Sequence, residues 1–211
     1  EPMAAAIGVH MPIHDPIGSM IVDIGGGTTD IAVIALSGVV RAKSLKVAGD
    51  TLTTNIISYM RDEFKMLIGE KTAEHIKINI GSALPDAEGE EISIKGRDLV
   101  TGLPREAIIT DVDIREAMYG SITQLVEAIR EVLETTPPEV LSDIMHKGMT
   151  LSGGGALIRN LSQLLEMQLK VPVTIADDPL TAVARGTGVI LEDIDTYKDV
   201  LVQNTDDISF R

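Results

Sequence analysis

The sequence predicts an α/β protein, and three observations carry that prediction. In Ile21-Val22-Asp23-Ile24-Gly25-Gly26-Gly27-Thr28-Thr29-Asp30-Ile31-Ala32-Val33-Ile34, aliphatic, largely β-branched arms flank a run of glycines, which reads as strand, turn, strand. In Met149-Thr150-Leu151-Ser152-Gly153-Gly154-Gly155-Ala156, a strand enters a second glycine run, and Leu157, Leu161, Leu164 and Leu165 then recur at helical spacing. Between the two lie helix-patterned stretches and short strands, so helices and strands alternate along the chain.

Each element has its own local reason. Glu1-Pro2-Met3-Ala4-Ala5-Ala6-Ile7-Gly8 reads as a short helix of small residues, with proline in its first turn and glycine after its end. After the first glycine hairpin a long helix is expected from Thr51 to Leu67. Lys71 to Gly81 reads as a helix with Thr72 as N-cap; Ile76 and Ile80 lie one turn apart, and Glu74 and Lys77 share a face. Gly96 to Arg105 reads as a polar turn flanked by short strands from Glu91 to Lys95 and from Ala107 to Thr110. A helix follows from Asp113 to Thr135, opened by the capping-box pair Asp113 and Glu116 and stopped by Pro137 and Pro138. Asp178 to Gly188 forms a second helix of alanines and glycines suited to tight helix crossing. The acidic run Asp86-Ala87-Glu88-Gly89-Glu90-Glu91 and the acids Glu192, Asp193, Asp195, Asp206 and Asp207 read as solvated segments.

The glycine clusters point to nucleotide chemistry. Gly25, Gly26 and Gly27 lack a Cβ, so their backbone N–H groups can approach phosphate oxygens. Asp23 stands where Mg²⁺ on a nucleotide needs a hard oxygen ligand, usually through water. A dinucleotide fold or P-loop requires a helix after its glycines, whereas the residues after Thr28 read as a strand, so both are excluded. The turn Gly153, Gly154, Gly155 and Ala156 lets a flat base or a ribose lie against bare backbone, or else serves only as a packing turn. Glu74 and Lys77 read either as a solvent-exposed i,i+3 ion pair or as a pair that holds a ribose hydroxyl and a base edge. His10, His14, His75 and His146 form no metal-ligand spacing, and His75 is expected on the surface.

The string VDIGGGTTD resembles the second phosphate motif of the ATPase superfamily that includes actin, Hsp70 and sugar kinases. EPMAAAIG, TAEHIKINIG, GRDLVTGLP, TTPPE with SDI, and GGGALIRNL are similar to segments of the bacterial actin family MreB. The likeness covers nearly all 211 residues and weakens after about Glu192. It implies an actin-like, RNase H-like lobe with a mixed five-stranded sheet, flanking helices and a small α+β insertion. Subdomain IIA is then expected over residues 1–50 and 148–211, and IIB over 51–147. The resemblance implies ATP and Mg²⁺ as ligands, with Glu1 orienting the attacking water, Asp23 holding the hydrated metal and Thr28 fixing metal or water. Gly25, Gly26, Gly27, Thr28 and Thr29 would take the phosphates; Gly153, Gly154, Gly155 and Ala156 would take the adenosine, flanked by Glu74 and Lys77. It further implies filaments that direct cell-wall synthesis and rod shape at the inner face of the cell membrane, and docking of the membrane protein RodZ. Because the sequence opens on Glu1, inside a helix by this likeness, it is expected to be a fragment without the first lobe. Membrane contact would then belong to that lobe or to partners.

Composition narrows the alternatives. With no cysteine there is no disulfide framework or thiol catalysis, and with 44% hydrophobic but 2% aromatic residues the core is aliphatic. A net charge of −14 argues against nucleic acid as a main partner, since phosphate contacts need a basic face. An Hsp70-type chaperone half, a sugar kinase and a scaffold that binds nucleotide without hydrolysing it are the competing readings; GGGTTD and TGLP disfavour the first.

Overall fold

The computed structural model describes residues 1–85 and 89–200; the expected solvation of Asp86, Ala87, Glu88, Asp206 and Asp207 lies outside them. Along the chain, α1 (Pro2–Gly8) precedes β1 (Ser19–Ile24), β2 (Thr29–Ala35) and β3 (Gly38–Leu45). Next come α2 (Gly49–Asp62), β4 (Met66–Leu67), α3 (Glu70–Ile80), β5 (Glu91–Asp98) and β6 (Pro104–Thr110). Then α4 (Asp111–Glu134) and α5 (Pro138–Lys147) lead to β7 (Met149–Ser152), a 3₁₀ turn (Gly154–Leu157), α6 (Leu161–Leu169), β8 (Val173–Ile175) and α7 (Ala182–Glu192).

The expected mixed five-stranded sheet is present, in the order β3-β2-β1-β7-β8. β1, β2 and β3 are antiparallel neighbours, whereas β1 pairs with β7 and β7 with β8 in parallel. Every residue of β1 is buried, as its continuous apolar spelling requires of a strand covered on both faces. Strand alternation then sorts its side chains. Met20, Val22 and Ile24 face the core made with α2, α4 and α6, while Ile21 faces α1 and α7. Asp23 shares the parity of Ile21 and so lies on the α1 side. A second sheet, ordered β4-β5-β6, packs through Met66, Ile94 and Ile109 against Ile114 and Met118 of α4.

Several local expectations are corrected. The helix expected to reach Leu67 ends at Asp62; Lys65 adopts a φ of 50° and Met66 and Leu67 pair with Asp98 and Arg97, because the apolar run serves a strand better than another helical turn. Thr72 lies inside α3, whose N-cap is Gly69. The capping box of α4 uses Thr110 and Asp113 instead of Asp113 and Glu116, and Glu116 accepts a 3.1 Å bond from the Tyr59 hydroxyl. Gly8 is the last helical residue of α1 and not the residue after it. Leu157 falls in the 3₁₀ turn and is exposed, so the second glycine cluster meets a tight turn before α6 begins at Leu161.

The polar turn expected from Gly96 to Arg105 is shorter, because β5 runs on to Asp98 and β6 begins at Pro104; the turn that remains, from Leu99 to Leu103, has a structural explanation that the sequence alone did not supply. The Asp98 carboxylate accepts from the backbone N–H groups of Val100 and Thr101 and from the Thr101 hydroxyl, and pairs with Arg105 at 3.0 Å. The Thr101 N–H, followed by Arg105, holds this carboxyl down at about 2. Gly102, at a φ of 75°, closes the turn where a side chain would strain it.

α1 crosses α7 with backbone touching backbone. A Cβ on Gly186 would lie 1.7 Å from the Ala4 carbonyl oxygen, and one on Gly8 would lie 1.8 Å from that of Ala182. Neither obstacle is a flexible side-chain end, so the helices must part. Gly186→Ala is expected to lower unfolding stability by about 3 kcal/mol, seen as an earlier urea midpoint with an unchanged slope.

Candidate functional site

The two glycine clusters meet because β1 and β7 run parallel, with Asp23 opposite Ser152. Both strands end in glycine at the same edge of the sheet, where open α/β sheets receive ligands. A Cβ on Gly153 would lie 2.3 Å from the Ile24 carbonyl oxygen, and one on Gly155 would lie 2.2 Å from Ile24 Cγ2. Only glycines at these positions let the second turn sit against the base of the first.

The first hairpin is closed by Ile24 opposite Thr29 and by the Gly25 N–H, which donates to the Thr28 carbonyl at 2.9 Å. It is also tied to the start of α2. The Gly49 and Asp50 N–H groups donate to the Gly25 and Gly26 carbonyls at 3.0 and 2.8 Å, which satisfies two of the helix's orphan amides. A cleft of about 1120 Å³ opens between this hairpin, the second glycine turn and α3.

Of the residues singled out in the sequence, Glu1, Asp23, Gly25, Gly26, Glu74, Lys77, Gly153, Gly154 and Gly155 line that cleft. Four do not. Gly27 is exposed at the hairpin tip, and Thr28 contributes the closing carbonyl. Thr29 is fully buried and its hydroxyl donates to the Val47 carbonyl at 2.7 Å, so its side chain braces the hairpin and is not free for phosphate. Ala156 is likewise buried, its N–H turned to the Gly153 carbonyl at 3.2 Å. His75 is on the surface, as expected.

The cleft also gathers residues that the sequence did not mark. Gly49 and Asp50 enter through the helix start, and a Gly-Asp pair opening an amphipathic stretch was the available signal. Glu70 and Lys71 enter at the first turn of α3. Ile78, Leu157 and Leu180 add an exposed apolar wall that only the folded chain assembles.

Asp23 is the electrostatic centre. It is 5% exposed, and its Oδ1 is buried with no hydrogen-bond partner. Burial raises its carboxyl above the ordinary value, Ser152 works in the opposite direction, and Glu1 and Asp30 add like-charge repulsion. A buried oxygen with nothing to bond, facing a cleft, fits a hydrated divalent cation. Among the described residues no group of three or more His, Asp and Glu side chains is placed to hold a metal, so a cation here would rest on Asp23, on waters and on ligand oxygens.

Glu74 and Lys77 form a 2.7 Å ion pair, but not the isolated surface pair that spacing alone permits. Lys77 Nζ also donates to the Gly49 carbonyl at 3.0 Å and to Thr53 Oγ1 at 3.1 Å. Burial opposes the charged form of Glu74, but hydrogen bonds from Lys77 and Thr53 outweigh it and hold the carboxyl below its ordinary value.

The raised Asp23 fixes a sign for pH dependence. An acid whose folded-state value exceeds its unfolded one contributes stability below the unfolded value near 3.8 and loses it as pH rises through the folded value. Asp23→Asn is therefore expected to raise the melting temperature of the ligand-free chain at pH 7. The gain should vanish near pH 3, which thermal unfolding followed across pH will measure.

Comparison with known proteins identifies the family and the fold. The model of the family described as MreB/Mbl protein matches residues 1–199. The chain is 51% identical to the cell shape-determining protein Mbl of Bacillus subtilis over 195 residues, 92% of the chain and 59% of Mbl. It is also 51% identical to the cell shape-determining protein MreB of Escherichia coli K12 over 197 residues, 93% of the chain and 57% of MreB. It thus spans under three-fifths of the length of these relatives. Crystallised MreB5 of Spiroplasma citri bound to ADP superposes with a TM-score of 0.89 at 40% identity, covering 94% of the chain and 60% of MreB5. The MamK double helical filament, 24% identical with a TM-score of 0.75 over 91% of the chain and 58% of MamK, shares the fold. The actin-like α/β fold is thereby established, and the chain belongs to the MreB/Mbl family.

Proposed function

We propose that this chain forms one wall of a magnesium–ATP site in an MreB-type actin homologue, whose complete form hydrolyses ATP and assembles into filaments that guide cell shape. The observation that carries this reading is the unpartnered Asp23 oxygen beneath a cleft walled by two glycine turns. Crystallised MreB5 of Spiroplasma citri, seen with ADP and with AMPPNP, supports an adenine nucleotide as the ligand.

In this scheme Asp23 would hold hydrated Mg²⁺, which supplies charge neutralisation for the phosphates when bound. Gly25 and Gly26 offer phosphate oxygens an approach without Cβ atoms. Gly153, Gly154 and Gly155 receive the adenosine side, and Ile78, Leu157 and Leu180 supply apolar cover for the flat base. Glu1, at the rim, orients the water that attacks the γ-phosphorus in line. Thr28 is retained only as a ligand through its hydroxyl, since its carbonyl closes the hairpin.

We assign residues 1–50 and 148–211 to subdomain IIA and 51–147 to IIB, a division supported by the membership of the two sheets. The names of the Mbl and MreB relatives support a role in cell shape. Self-association, RodZ as a docking partner and a place at the inner membrane face complete the proposal. No helix among the described residues is long and apolar enough to cross a membrane.

Two measurements test it. In the complete protein, Asp23→Ala is expected to cut magnesium-dependent phosphate release by roughly a hundredfold, and pelleting with ATP and GTP will show whether assembly follows turnover. Unchanged release would overturn the metal assignment and favour a scaffold. The 211-residue chain by itself should bind ATP weakly and release negligible phosphate, because it supplies one wall of the clamp. Robust turnover by this chain alone would overturn that division of labour.

A further inference from the structure

Thr53 sits on α2, is 3% exposed, does not line the cleft, and has no role in the scheme above. Its hydroxyl nevertheless lies at the centre of the polar network behind Glu74. Oγ1 is 2.6 Å from Glu74 Oε2, 3.0 Å from the Gly49 carbonyl and 3.1 Å from Lys77 Nζ. A hydroxyl has one proton to give, and the shorter contact directs it to the carboxylate, while the ammonium donates into the oxygen lone pairs.

The donor count on Lys77 then decides what the pair can offer a ligand. An ammonium carries three protons. Lys77 has three acceptors within the protein: the Gly49 carbonyl at 3.0 Å, Thr53 Oγ1 at 3.1 Å and Glu74 Oε2 at 2.7 Å. With its side chain only 10% exposed, it is committed to holding α3 against the first turn of α2. Glu74 differs. Both of its protein donors converge on Oε2, and its side chain is 45% exposed in the cleft that both residues line. Oε1 is the acceptor left for a ligand, and an acceptor-only group selects ligands that carry a donor there.

Resting on the nucleotide reading above, we propose that Thr53 is a positioning residue which, with Lys77, locks the Glu74 carboxylate so that Oε1 accepts a hydrogen bond from a ribose hydroxyl. Lys77 is thereby a strut, not a ligand contact. The lock matters because a free glutamate side chain would lose rotamer entropy on binding, whereas one already pinned through Oε2 does not. It also connects the sugar side of the cleft to the phosphate side. The Gly49 carbonyl receives Lys77 and the Gly49 N–H donates to Gly25, so a single residue joins α3 to the glycine hairpin.

The experiment compares binding of ATP with 2′-deoxy-ATP and 3′-deoxy-ATP, by calorimetry on the complete protein with magnesium. Wild type should favour ATP about tenfold or more over at least one deoxy analogue, the scale of a hydrogen bond to a charged acceptor. Thr53→Val should reduce that preference to under about threefold, mainly by weakening ATP and leaving the deoxy analogue nearly unchanged. Thr53→Ser keeps the hydroxyl and should restore the wild-type preference. If Thr53→Val folds poorly, Lys77→Met removes the second arm of the lock and should give the same loss of preference. Equal weakening of all three nucleotides, or an undiminished preference in both variants, would overturn the proposal. Glu74→Gln separates the two layers. If it abolishes the preference while Thr53→Val and Lys77→Met do not, only the positioning role fails; if wild type shows no preference, Glu74 does not read the sugar and the proposal falls with that contact.

Discussion

The parallel pairing of β1 with β7 is the constraint on which the site depends. It aligns Asp23 with Ser152 and ends both strands in glycine at one edge of the sheet. Gly153 and Gly155 are then needed for packing before they are needed for any ligand, since Ile24 occupies the space a Cβ would take at each. The same glycines that permit this approach also leave backbone bare toward the cleft. Packing and ligand access are therefore one requirement met by the same atoms.

Around that seam the hairpin is held from outside. Amides at the start of α2 bond the Gly25 and Gly26 carbonyls, and the Thr29 hydroxyl braces Val47. A glycine run left to itself would sample many conformations, at a large entropic cost to any ligand that had to order it. Here the cost is met during folding. Asp23 is the converse case: burial destabilises its charged form and one oxygen has no partner, an electrostatic cost that the fold leaves unrelieved.

Sequence strings differ in what they encode. GRDLVTGLP carries one of the most specific family likenesses in the chain, yet its physical content is a turn: Asp98 gathers two amides, a hydroxyl and Arg105, and Gly102 supplies the positive φ. VDIGGGTTD mixes both kinds of information. Asp23 and Gly25 to Gly26 belong to the cleft, while Thr29 in the same string is a buried brace. Adjacent letters of a motif thus do different work, and strand alternation decides which side each serves.

By itself the sequence determined the α/β class, the strand-turn-strand hairpin that excludes a P-loop, the aliphatic core and most of the glycines and acids that meet in the cleft. These were readable because periodicity, turn chemistry and β-branching are local properties. The extent of the second helix, the true capping pair of α4 and the 3₁₀ turn at Leu157 were decided by tertiary pairing, as when Met66 and Leu67 joined β5 instead of continuing α2. So were the apolar wall of Ile78, Leu157 and Leu180 and the commitment of Lys77 to Gly49 and Thr53, because partners 24 to 28 residues away leave no local trace in the sequence. Hydrogen-bond capacity is written in a residue's identity, but which partners fill it is settled only when the chain closes on itself.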